Sequence, residues 1–499
     1  MTATFRIVLP AMAALIPCLG LAGEASAPGK WNVLFIAVDD LRPELGCYGV
    51  EAVQTPCIDA FAATALTFRH HYVQVPTCGA SRYALLTGRR ASESGALGNE
   101  VATRGRAALP REMDPERART LPELFRRSGW RTGCIGKISH MPDGRVFSYD
   151  GKGDGRPELP DAWDFLETPF GAWKYGHGAF FAYGGGRHRE DGGGYAPLYE
   201  FPEVADDALP DGMIARAAAA KLESWRDQTF FLGVGFFKPH LPWVAPRRYR
   251  DLYEGRDVGM SPNPEKTPSG RFHGSGEFSR YRGDFPQKLP QTPAEHEQAR
   301  KAYYAATSYV DAQIGLVLEK LRDLGLEQRT IVILWGDHGW HLGDHGIWGK
   351  HTPFERSLNS PLIVRVPGMN RAGASTEALV ETVDLLPTLV DLCEPEMTRM
   401  MWPAGGVSLR PVLADPGHPG KDGALGYWGK SVTLRTARYR IIATRQGGDF
   451  RDVEIYDHRE DPHETVNLAA EDPALRARLL EQLRRDKPSM PGSGDPPSP

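Results

Sequence analysis

Four stretches of the chain are apolar almost without interruption, and each runs straight into polar residues. Trp31-Asn-Val-Leu-Phe-Ile-Ala-Val38 is followed by Asp39-Asp40, and Trp130-Arg-Thr-Gly-Cys-Ile135 by Gly136-Lys137. Thr229 to Phe237 leads into Lys238-Pro239-His240, and Thr330 to Trp335 into Gly336-Asp337-His338. Such runs lack the alternation of a half-exposed strand, and predict strands buried on both faces of a parallel sheet. Helix signals lie between them. Thr292-Pro-Ala-Glu295 is a capping box with proline at the first helical position, predicting a helix that continues to Leu324 and stops at Gly325. Shorter helices are predicted from Thr120 towards Gly129 and from Met213 to Trp225. Strands alternating with helices imply a doubly wound α/β sheet, in which ligands bind at the carboxyl ends of the strands. The four polar clusters are then expected to be neighbours in space.

Two stretches break this rhythm. Pro142 to Leu198 and Tyr253 to Gln291 are rich in Gly, Pro and charge, and are expected to wall a substrate pocket. After about Gly423 the pattern changes to short strands, at Ser431 to Thr436, Tyr439 to Thr444 and Val453 to Tyr456. A helix from Pro473 to about Arg485 follows. The predicted organisation is a signal peptide at 1–27, a catalytic domain at 28–422, a C-terminal α+β subdomain at 423–487 and a disordered tail at 488–499.

Composition narrows the setting. Arg6, the apolar stretch Ile7 to Leu21 and the small residues Ala25-Ser26-Ala27 have the outline of an export signal, so a periplasmic or secreted protein is expected. No later stretch is long and apolar enough to span a bilayer. A net charge of −4 across 499 residues gives no field suited to nucleic acid or an anionic membrane. Five cysteines follow the signal: Cys47, Cys57, Cys78, Cys134 and Cys393. An odd count leaves at least one thiol unpaired. With Cys78 set aside, spacing allows Cys47 and Cys57 to pair but does not establish it.

Cys78 stands in Pro76-Thr77-Cys78-Gly79-Ala80-Ser81-Arg82, with Leu86-Thr87-Gly88-Arg89 downstream. This segment resembles the signature of the type I sulfatases, which directs oxidation of the cysteine to formylglycine (3-oxoalanine). Most members carry Pro at the position of Ala80, and some carry Ala. The strand-end clusters and the run Gly336 to Lys350 resemble the iduronate-2-sulfatase branch of that family, and the closing Tyr456-Asp-His-Arg-Glu-Asp461 resembles the segment that ends many sulfatase C-terminal domains. The likeness covers nearly the whole chain after the signal.

The resemblance implies an alkaline-phosphatase-like fold: a large, mostly parallel mixed sheet flanked by helices, then a smaller antiparallel sheet with a helix. It implies that Asp39, Asp40, Asp337, His338 and modified Cys78 surround one divalent cation, calcium first, with magnesium or manganese as alternatives. Three carboxylates suit a hard cation independently of any likeness, whereas the imidazole is a less usual calcium ligand. Arg82, Lys137, His140, His240 and Lys350 are implied to surround the sulfate, where positive groups stabilise the charge of the transition state. The implied reaction has two steps. The hydrated formylglycine, oriented by Arg82, attacks sulfur while His240 protonates the leaving alcohol, and His140 with Lys137 then assists release of sulfate. The expected partners are a sulfated carbohydrate, such as a uronic acid 2-sulfate, and a maturation enzyme for Cys78. The alternatives are a formylglycine-dependent phosphodiesterase or phosphonate monoester hydrolase, and a carbohydrate-binding pseudoenzyme in which Cys78 is never matured.

Overall fold

All four apolar runs form strands of one eight-stranded sheet in the computed structural model. The structure describes residues 30–99, 117–192, 196–267, 270–272, 274–281, 284–285, 289–396, 399–400, 402–446 and 449–486. The expected signal peptide and the expected tail lie outside these residues. The chain divides into a unit Met1–Lys30 and a unit Trp31–Pro499, and the second carries the sheet and its helices.

The strands are β1 (Asn32–Val38), β2 (Leu66–Tyr72), β3 (Arg131–Gly136), β4 (Phe165–Leu166), β5 (Phe230–Phe236), β6 (Thr330–Gly336), β7 (Leu362–Arg365) and β8 (Ser375–Glu381). Their spatial order is β8-β2-β7-β6-β1-β5-β3-β4. Strand β7 runs antiparallel to both neighbours, and every other pairing is parallel. Every residue of β1, β5 and β6 is buried, as uninterrupted apolar runs require.

Alternate residues of β1 serve two cores. Leu34, Ile36 and Val38 face one layer of helices, while Val33, Phe35 and Ala37 face the other. The helices are α1 (Cys78–Thr87), α2 (Leu121–Arg127), α3 (Pro210–Ser224), α4 (Pro293–Asp323) and α5 (Leu385–Cys393). Helices α3 and α4 supply Ile214, Leu222, Val310 and Ile314 to the first core. Helices α2 and α5 supply Leu124, Phe125, Leu386 and Leu389 to the second. The predicted capping box forms: Glu295 N–H donates to Thr292 Oγ1 at 3.3 Å, and Thr292 N–H donates to Glu295 Oε2 at 2.9 Å. No described helix is long and apolar enough to cross a membrane.

Two glycines set the spacing of the strand ends. Gly136 has φ +76°, and a Cβ there would lie 2.0 Å from the Gly235 carbonyl oxygen. A Cβ on Gly235 would in turn lie 2.1 Å from the Lys137 carbonyl oxygen. Only glycine lets β3 and β5 end this close together, and the residues that follow them depend on it.

The C-terminal part is an antiparallel sheet of β9 (Ala424–Trp428), β10 (Ser431–Arg435), β11 (Tyr439–Gln446) and β12 (Asp449–Asp457), with α6 (Pro473–Asp486). Its core of Leu425, Val432, Leu434, Ile441 and Leu483 also takes in Val75 and Ala80, which flank Cys78. Strands β2, β4, β7, β8 and β9 were not predicted. The five described cysteines are free, so the allowed Cys47–Cys57 pairing is not made.

A buried ionic cluster ties the C-terminal sheet to the main body. Arg440 of β11 meets Glu355 and, at 2.7 Å, Glu464, whose Oε1 is 2.9 Å from His458 Nε2. Burial alone would raise the Glu464 carboxyl, but Arg440 and then the His458 hydrogen bond outweigh it and hold it at about 2. Because the folded value lies below the ordinary carboxyl value, this contribution to stability is full above about pH 4.3 and is lost as pH falls towards 2. Arg440→Ala leaves buried Glu464 only its contact with His458, and half-buried Glu355 a longer contact with Arg435, and is expected to cost at most about 3–5 kcal/mol at neutral pH. Urea unfolding at pH 7 and pH 3 checks this: the gap between wild type and variant should shrink at the lower pH.

Candidate active site

The four polar clusters meet because β6, β1, β5 and β3 are adjacent and parallel, so their carboxyl ends share one edge. Asp39 and Asp40 follow β1, Asp337 and His338 follow β6, Lys137 follows β3, and His240 lies just beyond β5. Asp40 adopts φ 58°, in the left-handed region that disfavours side chains, and its N–H donates to Asp337 Oδ1 at 3.0 Å. That bond locks the two strand ends together. Cys78 is the first residue of α1 and is 3 % exposed. Its Sγ lies 3.4 Å from Asp39 Oδ1, 3.3 Å from His338 Nε2 and 3.3 Å from Lys350 Nζ. The helix amino terminus adds a partial positive charge at the same point.

Charges are balanced in pairs around this centre. Lys137 Nζ lies against Asp39, and Lys350 Nζ is 2.7 Å from Asp40 Oδ1. Arg82 donates from Nε to Asp337 Oδ2 at 2.9 Å. Burial would raise the Asp39 carboxyl, but Lys137 and Arg82 lead a group of cations that holds it well below the usual range. Asp40 goes the other way, because burial and the neighbouring Asp39 charge outweigh Lys350. Burial, and then Asp39, push the Cys78 thiol up to about 12, opposite to an activated thiolate.

The residues fit a divalent cation. Ligand atoms of Asp39, Cys78, Asp337 and His338 lie within 4.8 Å of one another, as do those of Asp39, Asp40, Cys78 and His240. Asp39 Oδ2 and Asp40 Oδ2 are buried and accept no well-formed hydrogen bond, although Lys137 Nζ abuts the former. Three carboxylates are matched by Arg82, Lys137 and Lys350, so the cluster as it stands is near neutral. A dication would leave it positive, as the binding of an anionic ester requires.

A cavity of about 380 Å³ opens above Cys78. Lys137, His140, His240 and Lys350, four of the residues that the resemblance implies around the sulfate, line it. Burial, followed by Lys137, pushes the His140 imidazole well below its ordinary value, and its Nδ1 has no hydrogen-bond partner. His240 Nδ1 lies 2.6 Å from the Leu241 carbonyl oxygen, so Nδ1–H donates there and Nε2 is left 3.8 Å from Asp40 Oδ2. Burial and then Lys350 lower the His240 imidazole as well.

Arg82 differs from expectation. It is fully buried beneath the carboxylates, reaching Asp337, Asp39 and the carbonyl oxygens of Lys137 and Ile138, and it is absent from the cavity wall. Lys238 likewise turns away, donating to the carbonyl oxygens of His240 (2.7 Å) and Pro242 (2.6 Å), where it shapes the loop that carries His240. His341 is an internal strut whose Nε2 is 2.8 Å from Thr352 Oγ1, and buried His345 stacks on Phe354 at 4.4 Å. His351 does reach the cavity and stacks on Trp428 of β9 at 4.5 Å. Sequence reasoning missed Asn99, Tyr149, His177, Phe180, Phe181, Arg189, Glu277 and Arg280, which complete the wall. All but Asn99 come from the two irregular stretches, and their only sequence signal was the absence of periodicity.

Comparisons with known proteins bear on the family of the chain and on its fold. The model of the family described as Sulfatase matches residues 31–394, and that described as N-sulphoglucosamine sulphohydrolase, C-terminal, matches residues 343–488. Iduronate 2-sulfatase of Homo sapiens is 30% identical over 502 residues, covering 95% of this chain and 84% of its own length. A sulfatase of Formosa agariphila is 30% identical over 466 residues, covering 88% and 83%. Among solved structures, the phosphonate monoester hydrolase of Silicibacter pomeroyi has a TM-score of 0.71 at 21% identity, covering 92% of this chain and 96% of that one. A protein solved with its substrate D-glucosamine-2-N,6-O-disulfate has a TM-score of 0.67 at 21% identity, covering 92% and 97%. These two likenesses speak to the fold. With the family match extending over most of the chain and the strand ends gathered into one charged cluster, the protein belongs to the sulfatase family, in its iduronate-2-sulfatase-like branch, and is a sulfuric ester hydrolase.

Proposed function

We propose that the protein removes sulfate from a sulfated sugar, with residue 78 in its oxidised, formylglycine form and one divalent cation, calcium first, held by Asp39, Asp40, Asp337 and His338. The observation that carries this reading is the position of Cys78 Sγ, within 3.4 Å of Asp39, His338 and Lys350 at the floor of the cavity. The raised thiol argues in the same direction, since a buried protonated thiol is a poor nucleophile. When bound, the cation would supply Lewis-acid polarisation, and the aldehyde of residue 78, once hydrated to its gem-diol, would offer a hydroxyl nucleophile.

The chain's own residues do the rest. Lys137 and Lys350 bring two buried ammonium groups to the place where the sulfuryl oxygens gather charge. Arg82 works from behind, holding Asp337 and Asp39 in place, and is a positioning residue. His240 presents Nε2 to the leaving oxygen, and an incoming anionic ester opposes the effect of Lys350 and favours the imidazolium it needs as a proton donor. His140, neutral and with Nδ1 free of hydrogen bonds, is suited to accept a proton. The substrate class follows the likeness to iduronate 2-sulfatase, and the open cavity accommodates a sugar ring. Export through a signal peptide at 1–27, and division into domains at 28–422 and 423–487, complete the proposal.

Three outcomes are expected. Mass analysis of the peptide that contains residue 78, from protein made with a maturation enzyme, should find an aldehyde, and Cys78→Ala should abolish turnover with the fold intact by circular dichroism. Fully active, unmodified protein would refute the oxidised nucleophile. Chelation should remove activity and lower the melting temperature, with calcium restoring both. A ligand at a hundredfold excess over its Kd stabilises by about 2.7 kcal/mol, so the shift is within reach of calorimetry. A fully active, metal-free preparation would rule the cation out. His240→Ala should slow hydrolysis of a sugar sulfate by roughly 10²–10⁴-fold. An aryl sulfate, whose oxide departs unaided, should lose far less. Equal losses on both would move the proton donor to Lys350 or His140.

A further inference from the structure

A cavity built to hold an anion contains one acidic side chain among its described lining residues, Glu277. It stands with Lys137, Arg189, Arg280 and Lys350, so its presence needs a reason. Glu277 is no part of the candidate cation site. Its Oε1 lies 3.7 Å from Lys350 Nζ and 3.6 Å from His351 Nε2, beyond hydrogen-bonding distance of either. Its side chain is 17 % exposed, open to the cavity. Lys350 Nζ is itself 3.3 Å from Cys78 Sγ, so the carboxylate stands two short contacts from the reacting residue. The loop is pressed against Gly349, where φ is +127° and a Cβ would lie 3.1 Å from that of Glu277. The root of the Glu277 side chain is therefore held against the backbone beside Lys350.

A fixed negative charge here weakens binding of every anion, and weakens it in proportion to the anion's charge. A sulfate monoester carries one negative charge. A phosphate monoester carries nearly two above its second pKa of about 6, whereas phosphodiesters and phosphonate monoesters carry one. We propose that Glu277 is a specificity-determining residue, a charge filter that excludes phosphate monoesters while admitting sulfate esters and other singly charged groups. The proposal rests on the reading that the sulfuryl group is bound beside residue 78. Contacts of 3.7 Å from Glu277 to Lys350 and 3.3 Å from Lys350 to Cys78 put the carboxylate no more than about 7 Å from Sγ, and at that range and an effective dielectric constant near 20 one added charge is disfavoured roughly 10- to 50-fold. Phosphonate monoesters and phosphodiesters, with a single charge, are weakened no more than a sulfate ester, so the pocket separates its substrates by charge before it separates sulfur from phosphorus.

The test compares an aryl sulfate, an aryl phosphate and an aryl methylphosphonate on the mature, metal-loaded enzyme at pH 7.5. Both kcat/KM and, for the phosphate and phosphonate, the competitive inhibition constant against the sulfate are measured. Glu277→Gln should raise kcat/KM for the phosphate relative to the sulfate, and tighten phosphate inhibition, by roughly 10- to 50-fold. The phosphonate-to-sulfate ratio should stay as in the wild type, and Glu277→Asp should keep the discrimination. In the wild type alone, inhibition by the phosphate should weaken between pH 5 and 7.5 relative to inhibition by the phosphonate, as the second proton leaves. An unchanged phosphate-to-sulfate ratio in Glu277→Gln overturns the proposal. A shift of all three compounds together also overturns it, and makes Glu277 a support for Lys350. Failure of the wild type to hydrolyse any sulfate ester would count against the proposed function and is read separately from these ratios.

Discussion

Burying a charge without a partner is among the most costly things a fold can do, and this site is organised around that constraint. Asp39, Asp40 and Asp337 are completely buried. Lys137, Lys350 and Arg82 answer them nearly one for one, each delivered by a different segment of the chain. The pairing dictates which strands must lie side by side, how closely they end and where the helix of Cys78 must begin. The glycines at 136 and 235, the hydrogen bond from Asp40 to Asp337 and the bracing of the His240 loop by Lys238 all serve to keep those pairs in register. A cluster held near neutrality is also ready for change, because a small addition of charge alters what it attracts.

The sheet was legible where its strands were mostly apolar. The runs ending at Val38, Ile135, Phe237 and Trp335 have few polar residues, Asn32, Arg131 and Thr132 lying near their starts, and burial on both faces suits such runs. The capping box at Thr292 was equally plain, since its two hydrogen bonds depend on residues only three positions apart. Strand β2 was hidden by its sequence, Leu-Thr-Phe-Arg-His-His-Tyr. His71 within it is buried, with Nδ1 3.1 Å from the Ser360 carbonyl oxygen and Nε2 3.0 Å from Thr382 Oγ1, partners nearly three hundred residues or more away. Strand β7 is four residues long, too short for a period to show.

The same distinction separates the site residues. Groups at the ends of legible strands could be placed in advance, because a parallel sheet collects its strand ends along one edge. Arg82 could not. The family resemblance implied a place beside the sulfate, but one turn of helix carries it beneath the carboxylates. Glu277, Arg189 and His177 lie on segments whose conformation is fixed by contacts with the rest of the molecule, so no local pattern announces them. Fold and reaction type are therefore written locally, while discrimination among substrates is written in tertiary contacts.

The depth of Cys78 has a consequence for timing. With 3 % of its surface exposed, its backbone committed to a helix and Ala80 packed into the core of the C-terminal sheet, the residue offers no extended segment for another protein to grip. The oxidation proposed for it must then be completed before the strands that follow Gly423 fold over the segment. On that proposal, a molecule that folds first must open again to be modified, and the fraction of active protein would depend on the relative rates of modification and folding.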